Sequence, residues 1–89
     1  MNFEWDSKKS ESNQEKHGID FETTQWLWQD EFRIEIQAPH PIEERWIILA
    51  EYNCKIWAAV YTVRGDAVRI ISARRASKKE VRLYEVYEG

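Results

Sequence analysis

Arg45-Trp46-Ile47-Ile48-Leu49-Ala50-Glu51-Tyr52-Asn53-Cys54-Lys55-Ile56-Trp57-Ala58-Ala59-Val60-Tyr61-Thr62-Val63 is the stretch that decides the fold. It holds two apolar runs, 45–51 and 55–63, rich in β-branched and aromatic residues and joined by Tyr52-Asn53-Cys54, where Asn53 can take the positive φ of a tight hairpin turn. Arg64-Gly65-Asp66 punctuates a second turn, and Ala67 to Ala73 reads as a further strand. Upstream, Phe32, Ile34 and Ile36 alternate with Arg33 and Glu35, a period-two pattern closed by Pro39 and Pro41. Strands that follow one another through short turns form an antiparallel meander.

Working outward, Asn2-Phe3-Glu4-Trp5 also alternates and predicts a short strand with both aromatics on one face. Asp6 can cap a helix over 7–17, which Gly18 ends. That helix has no large apolar residue, so it must be bridged by specific polar contacts, lie against a partner, or be marginal. Asp20 offers a second N-cap, opening an amphipathic piece with Ile19, Phe21, Trp26 and Leu27 or Trp28 that ends near Asp30. Ser77-Lys78-Lys79-Glu80 has the form of a capping box, with Val81, Tyr84 and Tyr87 following at helical spacing. The predicted order is β-α-α-β-β-β-β-α. The fold class is α+β: an antiparallel sheet, made of a short N-terminal strand plus a four-strand meander, with two N-terminal helices and one C-terminal helix.

The 89 residues make one small domain, 1–89, and 43% hydrophobic content with five tryptophans can furnish a core. Five tryptophans are more than such a core holds comfortably, so one or two are expected at a partner interface. No apolar run nears the ~18 residues of a membrane span and Met1 to Asp6 does not resemble a signal peptide, so a cytoplasmic protein with no membrane association is expected. The lone Cys54 excludes an internal disulfide, and with His17 and His40 scattered around it no metal site and no cofactor are expected.

Charge is polarised. Residues 1–63 carry six Lys/Arg against twelve Asp/Glu, whereas residues 64–82 carry seven against two. A basic segment on an acidic domain is the footprint of a polyanion site, though a charge run can also be only a solvated face.

Phe3-Glu4-Trp5-Asp6, Lys9, Asn13, Lys16-His17-Gly18-Ile19, Phe21-Glu22, Arg45-Trp46, Tyr61-Thr62-Val63-Arg64-Gly65, Ile70-Ile71-Ser72-Ala73-Arg74, Ala76 and Glu80 together resemble the BrnT toxins. The chain departs from that family at Ala50 and Cys54, where the family tends to have glycine. The resemblance implies a RelE-like fold and a ribonuclease of a type II toxin-antitoxin pair that acts on RNA and inhibits translation and growth. It also implies a partner, a BrnA-like ribbon-helix-helix antitoxin, through which the toxin-antitoxin complex would bind its own promoter DNA.

A metal-independent ribonuclease must orient the ribose 2′-OH, neutralise charge growing on the phosphate and protonate the departing 5′-oxygen. Guanidinium groups suit the second task because they stay charged and fork onto two oxygens. Arg64, Arg74 and Glu80 are the catalytic candidates, and Lys16, His17, Arg69, Arg82 and Tyr84 the substrate-binding ones. Strict alternation puts Arg69 opposite Val68 and Ile70 and returns Arg74 to the Val68 side unless the strand has ended. Glu80 is open to three roles: general base, holder of an arginine, or N3 residue of the capping box. Tyr84, four residues on, can meet RNA or pack on the sheet, and His17 can carry a proton or cap its helix. The alternative to an enzyme is a non-catalytic nucleic-acid or protein-binding module that uses the same basic segment.

Overall fold

A computed structural model describes residues 1–88. Its order is β1 (Asn2–Glu4), α1 (Ser7–His17), α2 (Phe21–Thr24) running into a 3-10 turn (Gln25–Gln29), β2 (Ile34–Ala38), β3 (Arg45–Tyr52), β4 (Lys55–Arg64), β5 (Ala67–Arg75) and α3 (Lys78–Glu88). The sheet runs β1-β5-β4-β3-β2. Strands β2 to β5 form the expected antiparallel meander, while β1 pairs with β5 in parallel, so the sheet is mixed at one edge. The expectation of an antiparallel sheet is corrected at this edge: α1 and α2 lie between β1 and the meander in sequence and carry the chain back over the sheet.

Asn53 and Cys54 have φ of 54° and 65°, so the β3–β4 turn has the paired left-handed residues of a type I′ hairpin. Asn tolerates that region, whereas Cys bears a Cβ penalty there that glycine would avoid.

Alternation along β3, β4 and β5 separates two faces. One buries Ile48, Ala50, Trp57, Ala59, Tyr61, Val68, Ile70 and Ala73 beneath Ile19, Phe21, Leu27 and Trp28 from the α1–α2 side. The other carries Leu49 and Ala58 against Tyr84 of α3, with Ile34, Ile47 and Ile56 around them. Phe3 and Trp5 both pack on the larger cluster. Of the tryptophans, Trp28 and Trp57 are buried, Trp5 and Trp46 half-buried, and Trp26 is 57% exposed.

The polar helix α1 is held by polar contacts. Asn13 donates from Nδ2 to the Ile19 and Ala73 carbonyls (both 2.8 Å) and accepts from the Ala73 amide (3.2 Å), while Ser10 Oγ accepts from the Phe21 amide (2.9 Å). Asp6 and Asp20 act as the predicted N-caps, and Gly18 ends α1 at φ 76°. Asn13 therefore does what an apolar stripe does elsewhere: it joins α1 to the end of β5 and to the α1–α2 connection.

Candidate functional site

Strand β5 contains one extra residue. Val60 pairs with Ser72 but Tyr61 pairs with Ile70, so Ile71 is inserted as a bulge. That insertion reverses the parity of everything after it. Arg74 pairs with Ala58 and shares the α3 face with Arg69, which pairs with Thr62, whereas Arg75 pairs with Trp57 and points to the opposite face. The expectation that Arg74 returns to the Val68 side is therefore wrong, because it assumed an unbroken period of two.

The α3 face consequently gathers Arg45, Arg64, Arg69 and Arg74. They do not form one cluster. Arg74 lies opposite Ala58 and Arg64 six residues further along β4, a separation of about 20 Å at ~3.3 Å per residue. At the far end Glu43 accepts from Arg45 Nε (3.0 Å) and lies 3.8 Å from Arg64, while Arg69 donates to Glu4 (2.8 Å).

The near end is built around Glu80. Ser77 and Glu80 close the predicted capping box: the Ser77 amide donates to Glu80 Oε1 (2.8 Å) and the Glu80 amide donates to Ser77 Oγ (3.2 Å). The same carboxylate receives both arms of Arg74, Nη1 to Oε1 at 2.7 Å and Nη2 to Oε2 at 3.0 Å. This fork holds the Glu80 carboxyl down at about 2, with burial opposing and the Ser77 amide assisting. Its counterpart raises the Arg74 pKa. The capping and arginine-holding roles are thus filled by one side chain at once, since N3 of α3 faces the end of β5. Arg74 keeps 44% of its side chain exposed, so the clamped guanidinium still faces solvent.

Tyr84 sits elsewhere. It is 1% exposed, and its hydroxyl donates to Asp30 Oδ2 (2.6 Å), which also accepts the Glu51 amide (2.8 Å). Burial pushes the Asp30 carboxyl up, but the Glu51 amide, the Tyr84 hydroxyl and the Phe32 amide together pull it lower than an ordinary aspartate. Tyr84 thus seats α3 on the sheet. Arg82 is exposed beside Leu83 and Val86, lining an open groove along α3 with Lys79 and Glu80. Lys16 and His17 end α1 and lie on the other side of the sheet from Arg74; His17 lines a cavity with Arg75, Lys55 and Trp57. Sequence reasoning missed Arg75 and Lys55 in that cavity, and also Glu4 and Glu43 as arginine partners. The Arg74-Arg75 pair was the available signal, because neighbours in a strand face opposite ways.

Among the described residues no three His, Cys, Asp or Glu side chains are grouped to hold a metal ion. No helix of the described residues is long and apolar enough to cross a membrane. The family model for the ribonuclease toxin BrnT of type II toxin-antitoxin systems matches residues 5–80. The chain belongs to the BrnT family. The match runs from Trp5, just past β1, to Glu80, so it takes in the far-end arginines and closes on the clamp. A search of curated proteins returned no match. Membership of this family makes the chain, at the family level, a ribonuclease toxin with RNA as substrate and an antitoxin as partner.

Proposed function

We propose that the chain is a metal-independent endoribonuclease with a RelE-like fold, in which Arg74 meets the scissile phosphate and Glu80 is the residue that positions it. The Arg74–Glu80 fork at the β5–α3 corner carries this reading. A guanidinium fixed by a carboxylate behind it has lost its rotamer freedom before substrate arrives, and its exposed edge can donate to phosphate oxygens as charge grows on them. A carboxyl held at about 2 is a weak proton acceptor at neutral pH, which favours positioning over general-base work for Glu80. Lys78 and Lys79, exposed on the first turn of α3, add positive potential beside the fork.

Arg69, about 13 Å along the sheet from Arg74 and held by Glu4, and Arg64, about 20 Å along it beside Glu43, act as contacts for the RNA strand on one side of the cut. Arg82 extends the same track along α3. Cleavage of this kind inhibits translation and growth.

The neutralising partner is a BrnA-like ribbon-helix-helix antitoxin. Leu83 (37% exposed), Val86 (74%) and Tyr87 (71%) leave an apolar strip on α3 beside the clamp, where a partner helix would cover both hydrophobic surface and Arg74. The complex binds promoter DNA through the antitoxin.

The test is cleavage of single-stranded RNA in a chelator-containing buffer by the wild-type chain and by Arg74→Lys, which keeps the charge and loses the fork. Losing one aimed donor predicts a fall of about 10²–10³-fold in rate, with the chain still melting cooperatively and no more than about 10 °C below the wild type because the charge beside Glu80 is kept. Equal rates for the two proteins, or no cleavage by the wild type with or without its antitoxin, would overturn the reading.

A further inference from the structure

Arg33, Arg45, Arg64, Arg69 and Arg74 each have a carboxylate partner. Among the described residues Arg75 and Lys55, like Arg82 and the other lysines, have none, and these two border one cavity of about 350 Å³ on the face opposite Arg74. His17, Thr23, Tyr52 and Trp57 help to line it, and no Asp or Glu does. That is unusual surroundings in a chain with sixteen acids and a net charge of −3. The polar groups arrive from three separate places. His17 stands at the C-terminal end of α1. Lys55 follows the left-handed turn at Asn53 and Cys54. Arg75 is laid over the Trp57 ring with its guanidinium carbon 5.6 Å from the centroid, and Trp57 is itself fixed by donating from Nε1 to the Tyr52 carbonyl (3.1 Å). The Ala76 amide donates to the Ile56 carbonyl (3.0 Å) and pins the end of β5 beside this cavity.

We infer that the cavity is a second RNA subsite, which takes a phosphate further along the strand from the one held at Arg74. As strand neighbours Arg74 and Arg75 point to opposite faces at the same end of the sheet, and the bulge at Ile71 decides which face each takes, so they form two phosphate posts either side of one edge. A single strand that passes Arg74 and turns over this edge brings a phosphate further along it to Arg75, Lys55 and His17. A double helix is too stiff and too wide to make that turn, so the ligand is single-stranded RNA. The inference rests on the ribonuclease reading for the position of the strand at Arg74, but its own test needs no cleavage.

The probe is a fluorescein-labelled 2′-O-methyl RNA hexanucleotide, which lacks the attacking hydroxyl. Its binding is followed by anisotropy over a series of salt concentrations, for the wild type, Lys55→Gln, Arg75→Gln and Arg75→Lys, with melting curves for each. Removing one phosphate contact to a single strand lowers the log–log salt slope by about 0.7, so Lys55→Gln and Arg75→Gln are expected to lose about that much each, while Arg75→Lys keeps the wild-type slope. Wild-type slopes in both glutamine variants overturn the subsite. So does a result in which those variants weaken only the complex with an acidic protein and not the RNA complex. If the slopes fall but the wild type cleaves no RNA, the subsite stands and the ribonuclease reading fails.

Discussion

Replacing Glu80 by glutamine separates the two roles that meet in this side chain. The amide oxygen of the Glu80→Gln variant can still accept the Ser77 amide, so the capping box survives in weaker form, but a carboxamide cannot hold both arms of Arg74. The folded-state carboxyl sits near 2 against an ordinary 4.5, a shift equivalent to about 3 kcal/mol if fully shielded. Arg74 is 44% and Glu80 21% exposed, and screening by water leaves about 1–2 kcal/mol. Because the folded pKa is depressed, this stabilisation is fully present above pH 4.5 and is lost as pH falls through about 2. Glu80→Gln is therefore expected to melt about 5–15 °C below the wild type at pH 7 and to converge with it as the pH approaches 2. Cleavage at pH 7 should fall about 10–10²-fold, because Arg74 loses its fixed geometry while keeping its charge. Thermal unfolding across pH 2–7 and RNA cleavage at pH 7 measure the two effects. A melting difference that does not change with pH, or unchanged cleavage, would refute the argument that the carboxylate holds Arg74.

Asn13→Ala strips three hydrogen bonds from buried backbone groups of Ile19 and Ala73, and should cost about 2–4 kcal/mol in denaturant unfolding. A loss under about 1 kcal/mol would show that α1 is held some other way. Cys54→Gly removes the Cβ from a residue at φ 65° and should stabilise the chain by about 1 kcal/mol, read as a higher denaturant midpoint with unchanged slope; a lower midpoint would contradict the strain. Arg69→Gln, well removed from Arg74, should raise the KM for RNA several-fold more than it lowers kcat, and a loss confined to kcat would place Arg69 at the cut itself.

Much of the architecture is written in local pattern. The period-two runs flanked by Asn53 and Gly65 determine β3, β4 and β5, and the capping residues Asp6, Asp20 and Ser77 determine where each helix begins, because these signals act over two to four residues. The Ser77–Glu80 box is of this kind and was legible as it stands. The puzzle of α1 was legible too, since its lack of apolar residues left polar bridges, a partner or marginal stability as the alternatives, and the contacts of Asn13 and Ser10 select the first.

What the sequence could not determine is set by pairing between distant segments. Parallel β1 depends on which edge stays free after the meander forms, and Glu4 meets Arg69 only there, 65 residues away. The bulge at Ile71 arises from the register of β5 on β4, not from any residue that announces it, and it alone puts Arg74 with Glu80 and Arg75 with His17 and Lys55. A single inserted residue inverts every later side chain, because alternation carries no memory of register beyond its own strand. The sequence by itself therefore established an α+β chain with a basic end and a capped final helix. Only the tertiary structure decided which arginines that end presents on each face.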